Sequence, residues 1–145
     1  MASNVELLRE VFARFNRNGE LDFSAVHPDV ELHDRPDVPD AAVWRGTAGV
    51  RAFFAKTAES FDPIRWQPSE FVAVGRHVLV RAHVVAYGAT SGTPIEIDEA
   101  QLWTFIDGLI VRLQGFPTID EAYATARALD EPAGIERATR REERC

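Results

Sequence analysis

The sequence predicts an α+β domain in which helices come first and a long antiparallel meander then curves around them as a cone with an open mouth. Two patterns carry that prediction. In the first half, apolar residues recur at three- and four-residue spacing in two separate stretches; in the second, four runs rich in β-branched and aromatic residues are split by short turn signals. Size agrees: 145 residues, 46% of them hydrophobic, are the usual length of one domain and long enough to enclose a real core.

Each element has its own local reason. Ser3 and Glu6 form an S-x-x-E capping box, and Val5, Leu8, Val11, Phe12 and Phe15 follow at helical spacing, so a first helix is expected to run to about Asn16 and stop at "NRNGE". A short second helix through "LDFSAV", a strand at "DVELHD" and a long loop of prolines and acids come next. In "TAGVRAFFAKTAESF", Val50, Phe53, Phe54, Thr57 and Phe61 share one stripe, which predicts another helix, ended by Pro63. "SEFVAV", "HVLVRAHVVAYG", "PIEIDEAQLWTF" and "LIVRLQGF" read as four strands, joined by tight turns at Gly75-Arg76 and Asp107-Gly108 and a looser one at "GATSGTP". Thr118 and Glu121 make a second capping box for a helix to about Leu129. The helices are expected on one face of the sheet. Residues 1–130 then form a single domain, and 131–145 a charged tail broken at Pro132 and Gly134.

Composition removes several classes of function. A net charge of −7 suits neither nucleic acid nor an anionic membrane surface. The single cysteine, Cys145, allows no disulfide framework within the chain and no cysteine-based metal site. "MASNVELLREVFARF" is charged and amphipathic, without the uninterrupted apolar run of a signal peptide, and no stretch approaches the roughly 18 apolar residues of a membrane span, so a cytoplasmic location is expected. His27, His33, His77 and His83 show no metal-ligand spacing; there is no phosphate loop, nucleophile elbow or Cys/His pair. One residue breaks its pattern. On the strand "DVELHD", Asp34 falls on the same side as Val30 and Leu32, where aliphatic residues face the core. Such a carboxylate either serves a pocket or accepts hydrogen bonds from the loop that follows.

The order helix, short helix, strand, helix, meander resembles the nuclear transport factor 2-like (cystatin-like) superfamily. More narrowly it resembles its SnoaL-like polyketide cyclases and their ketosteroid-isomerase and limonene-epoxide-hydrolase relatives. "NRNGELDFSAVHPDVELHD", "WRGTAGVRAFF", "GATSG" and above all "LWTFIDGLIVRLQGFPTIDEAYATA" carry the likeness, which spans about residues 3 to 130. That fold hosts isomerases, cyclases, hydrolases and plain binding modules, so the resemblance implies a cone more firmly than a reaction.

Taken position by position, the resemblance implies Asp34 as the base that moves a proton between carbons. Phe12 stands where ketosteroid isomerases have a tyrosine donor, and Gln101 where they have a protonated aspartate. An amide can donate a hydrogen bond without a raised pKa, so Gln101, or Glu99 if protonated, would steady an enolate oxygen. The hydrolase set is absent: Ala82, Val84 and Gly115 occupy its positions. The same likeness implies that Ile97, Glu99, Gln101, Trp103 and Phe105 face inward with Val80, Ala82, Val84 and Ala86, while Asp98, Arg81, His83 and Tyr87 face out. A one-residue slip would exchange the two sets. The expectation is therefore a small, largely apolar organic ligand, walled by Phe12, Phe15, Leu32, Trp44, Val84 and Trp103, and proton transfer next to a carbonyl with no metal or organic cofactor. The alternative is a non-catalytic binding or interaction domain on the same scaffold. Leu79, Val85 and Tyr87 on the outer face imply a homodimer through the sheet.

Overall fold

The computed structural model describes residues 2–131; the tail from 132 onward, with Cys145, lies outside the described residues. The elements are α1 (Asn4–Asn18), a single 3-10 turn (Phe23–Ala25), β1 (Val26–His33), β2 (Val43–Arg45), α2 (Gly46–Ser60), β3 (Phe61–Val74), β4 (His77–Gly88), β5 (Pro94–Ile106), β6 (Leu109–Phe116) and α3 (Ile119–Asp130). Ser3 caps α1 in the expected reciprocal manner: its hydroxyl accepts from the Glu6 N–H at 3.1 Å, and Glu6 Oε1 accepts from the Ser3 N–H at 2.8 Å. At α3 the Thr118 hydroxyl likewise accepts from the Glu121 N–H, but the Glu121 carboxylate takes the Thr118 O–H rather than reaching back to the backbone.

Six strands form one sheet in the order β2-β1-β6-β5-β4-β3. The meander β3 to β6 is antiparallel throughout, whereas β1 lies parallel to β6. That one parallel pair follows from chain order: β1 precedes the meander and closes against its last strand. β2 is a three-residue strand inside what reads as loop, and only its pairing with β1 reveals it. β3 runs 14 residues, well beyond "SEFVAV", through Pro63 and Pro68. It is an edge strand, so prolines interrupt no ladder on its free side. Bulges between Phe61 and Ile64, Pro68 and Glu70, and Thr104 and Phe105 bend the sheet. At the β5–β6 hairpin, Asp107 and Gly108 both hold positive φ, 51° and 79°, the geometry for which an Asp-Gly pair is suited.

Strand parity is as the resemblance implied. Val78, Val80, Ala82 and Val84 of β4 and Trp103 and Phe105 of β5 pack inward on Leu8, Val11, Phe12 and Phe15 of α1. The alternate residues Leu79, Ala100 and Leu102 face outward, and there α3 covers them with Ala122 and Ala126. The helices therefore do not share one face: α1 and α2 fill the concave side, and α3 seals part of the convex one. Leu79, 1% exposed beneath α3, offers nothing to a partner subunit; Val85 and Tyr87 remain half-buried on the convex side. No helix among the described residues is long and apolar enough to cross a membrane.

Candidate functional site

Between the concave face, α1 and α2 lies a cavity of about 240 Å³. Aromatic rings make one side of it. Phe15 and Trp66 stack at 3.8 Å between centroids and 12° between planes, Phe54 meets Trp66 edge-on at 6.3 Å, and Phe53 meets Phe54 edge-on at 5.2 Å. Ile64, Val84, Leu32 and Leu113 complete the apolar lining. The cavity exists because α2 is only partly packed: of its apolar stripe just Val50 is fully buried, and Phe53, Phe54 and Thr57 line open space instead.

The other side is polar and wired in series. Trp103 Nε1 donates to Gln101 Oε1 at 2.9 Å, and Gln101 Nε2 donates to Glu99 Oε2 at 3.0 Å. Arg35 NH1 donates to Glu99 Oε1 at 3.0 Å, and its Nε and NH2 grip both oxygens of Asp37, each at 3.0 Å. An indole N–H is only ever a donor, so Trp103 fixes which end of the Gln101 amide faces it and turns the NH₂ toward Glu99. One hydrogen of that NH₂ is spent on Glu99. The second has no partner among the described residues, on a side chain 3% exposed that lines the cavity. The Asp37 carboxylate holds the Arg35 guanidinium above its ordinary pKa, Glu99 adds to the effect, and Arg35 in turn holds Asp37 low.

Gly115 leaves room beside this pairing. It stands opposite Gln101 on β6, and a Cβ there would lie 3.1 Å from Glu99 Oε1 and 3.2 Å from Arg35 Cγ. A side chain at that position would crowd both partners of the ion pair.

Asp34 sits just past the end of β1, on the cavity lining. Its Oδ1 accepts from Trp44 Nε1 at 3.1 Å and its Oδ2 from the Ala42 N–H at 3.0 Å, while its own N–H donates to Ala42 O at 3.0 Å. The Gln114 amide adds a bond to the Asp34 carbonyl at 3.1 Å. Asp34 thus closes the neck of the loop from 35 to 41, as the loop reading expected, and also borders the cavity. His33, also on the lining, is drawn to Glu31 Oε1 at 2.9 Å on the convex side, and burial pushes its pKa below the usual histidine value against the opposing pull of Glu31.

Of the residues singled out from sequence, Asp34, Glu99, Gln101, Phe15, Leu32 and Val84 come together on the cavity lining. Phe12, Trp44 and Trp103 do not line it. Phe12 and Trp103 are 1% and 0% exposed and stand behind the wall, with Phe12 packed on Trp66 at 5.3 Å and on Trp103 at 5.5 Å. Aromatic rings between α1 and the sheet fill the narrow end of the cone completely, so their neighbours further along form the wall. Trp44 lies outside, holding Asp34 by its N–H and Phe53 by an edge contact at 5.7 Å. Arg35, Trp66, Phe53, Phe54 and Gly115 were not read from sequence as site residues. Alternation would turn Arg35 away from Asp34, but β1 ends at His33, and beyond it the chain is free to swing both side chains inward.

The sequence model for the SnoaL-like domain matches residues 8–113. Among solved structures, a nuclear transport factor 2-like protein of unknown function from Burkholderia pseudomallei superposes with a TM-score of 0.69 at 22% identity, covering 90% of this chain and 100% of that one. TerC, co-crystallised with polyporic acid, gives a TM-score of 0.68 at 26% identity over 88% and 98% of the two chains. A candidate SnoaL-like polyketide cyclase from Jannaschia sp. CCS1 gives 0.66 at 19% identity over 89% and 92%. No curated protein is significantly similar in sequence.

Proposed function

The chain belongs to the SnoaL-like domain family, and from that premise we propose that its cone takes up a small, flat, largely apolar organic molecule and moves a proton on the carbon next to its carbonyl group, as an isomerase or an aldol-type cyclase does. One observation carries the proposal: a cavity of about 240 Å³ whose aromatic wall is joined to a carboxylate and to a free amide N–H. The rings of Phe15, Trp66, Phe53 and Phe54 would hold the flat body of the ligand. Asp34 would take the proton from carbon through an oxygen lone pair not used by Trp44 or Ala42, since each of its oxygens accepts only one of these bonds. The spare Gln101 hydrogen would meet the oxygen on which charge develops. Return of the proton to another carbon completes an isomerisation; attack of the carbon on a second carbonyl completes a cyclisation. Glu99 would stand close to that oxygen, and its pairing with Arg35 at 3.0 Å would keep its charge from opposing the step. That TerC was co-crystallised with polyporic acid supports the uptake of a small organic molecule on this scaffold.

A non-catalytic binding domain is the second reading, favoured by the loop bonds already on both Asp34 oxygens. The two part on Asp34→Asn assayed with an enolisable ketone or 1,3-diketone, with circular dichroism to verify the fold. Loss of about 10²–10⁴-fold in turnover is expected, the usual contribution of a positioned base. No turnover by the wild type, or equal turnover by the variant, would leave the binding reading standing. We also propose pairing of two copies through the convex face around Val85 and Tyr87; sedimentation as a monomer at micromolar concentration would remove it.

A further inference from the structure

The cavity is small for the task proposed for it. Ligand sites typically enclose roughly 300–1,000 Å³, and this one holds about 240 Å³. A ligand of ordinary size has to continue beyond it, and the register of the sheet shows where. Residues two apart on one strand share a face, and so do residues directly opposite on an antiparallel neighbour. Val84 and Ile64 line the cavity. Val84 stands opposite Ile97, and Ala86 stands opposite both Ile64 and Ile95, so Ile95 and Ile97 continue the same concave face onto β5. The stretch "IEID", 95 to 98, alternates as a half-buried strand does, with Glu96 and Asp98 on the convex face bonded to His83. Yet Ile95 and Ile97 are each 44% exposed. β6 ends at Phe116, opposite Ala100, so among the described residues β5 from Pro94 to Glu99 has β4 as its sole strand neighbour. One exposed aliphatic residue signifies little, but two on one face at a free edge, continuous with a cavity wall, form a patch that needs a cover.

We propose that Ile95 and Ile97 form an apolar shelf for the cavity's own ligand, which carries an uncharged hydrocarbon arm that leaves the cavity across Val84 and lies along them. This rests on the reading of the cavity as a ligand site and adds the class of molecule: a ketone or diketone with an aromatic body and an aliphatic extension, rather than a compact ring system. The aromatic body fills the enclosed part, against Phe15 and Trp66. The arm supplies the cover that the alternation of β5 calls for and the rest of the sheet does not give.

The test is a calorimetric titration of the full chain with three 1-phenyl-1,3-diketones whose second arm is methyl, propyl or pentyl. Affinity is expected to rise about twofold in Kd per added methylene, roughly half the gain of full burial, since a shelf covers one side of the arm. Ile95→Ser combined with Ile97→Ser should bind the methyl probe as the wild type does and lose the rise along the series. Both positions are exposed and outside the cavity lining, and an unchanged methyl affinity verifies that the cavity is intact. A flat series in the wild type overturns the inference while leaving the cavity as a ligand site. The full rise persisting in the double variant places the arm elsewhere and likewise overturns it. If none of the three binds the wild type, the cavity reading falls and the inference with it. Sedimentation without probe supplies the last outcome: a wild type that is larger than the double variant means that a second copy covers the shelf, which also overturns the inference.

Discussion

On the convex side of β4, Arg81 pairs with Glu70 at 2.8 Å, both side chains about half exposed at 54% and 51%, and His83 bridges Glu96 at 2.6 Å and Asp98 at 2.8 Å. On the concave side, Glu99 of the neighbouring strand is 13% exposed and belongs to a chain of bonds from Trp103 through Gln101 to Arg35 and Asp37. The same kinds of groups meet on both faces at similar distances. What differs is water. Outside, each pair is local, and solvent can replace either partner if the other is lost. Inside, Trp103, Gln101 and Glu99 hold one another in a fixed orientation, and removing Gln101 strands a buried donor away from water, while Asp37 at the far end of the chain is half exposed. A sheet of this kind keeps its adjustable polar groups on one side and its positioned ones on the other.

Gln101→Leu against Arg81→Ala is the strongest way to break that contrast. Gln101→Leu leaves the Trp103 N–H buried without an acceptor and takes a donor from Glu99, so a loss of about 1–3 kcal/mol in urea unfolding is expected. Arg81→Ala should cost at most about 1 kcal/mol. Equal losses would mean that burial does not separate the faces. A smaller, signed difference is expected from two histidines. Burial holds His33 below the ordinary histidine pKa, so the unfolded chain binds its proton more readily, and stability drops as pH falls through the ordinary value toward the lower folded one. The hydrogen bond to Asp98, with that to Glu96, holds His83 above the ordinary value; its contribution is complete below that value and is lost as pH rises through the higher folded one. Melting temperatures across roughly pH 5 to 8 should therefore flatten on the acidic side in His33→Gln and on the alkaline side in His83→Gln. Flattening on the same side in both would remove the distinction.

Much of this architecture is visible in the chain itself. Capping residues, helical stripes and turn signals are local, and each element they mark is present in the fold. Asp34 stood out because a carboxylate interrupts an aliphatic alternation, a conflict between local pattern and burial that seldom arises without a second demand on the residue. Arg35 gave no such signal. Its partner Glu99 is 64 positions away, and the turn that brings them together begins where strand alternation ceases to apply. Trp66 was hidden for a different reason: prolines on either side conceal a strand, and only a free edge allows one to form there. Distinguishing wall from core was equally out of reach, since Phe12 and Phe15 share one helical stripe and differ only in how far along the cone each stands.

The neck of the loop between Asp34 and Ala42 is tied in two places, by the Asp34 N–H to the Ala42 carbonyl and by the Ala42 N–H to the Asp34 carboxylate. Pro36 to Asp40, the span beyond Arg35, carries little of the core and is exposed throughout. Chain length there is thermodynamically cheap, each doubling of such a segment adding only about 0.6 kcal/mol of closure entropy. Descendants of this chain are thus free to exchange one loop tip for another while the carboxylate at its neck stays where it is, a modular arrangement in which this edge of the cavity can diverge without renegotiating the fold.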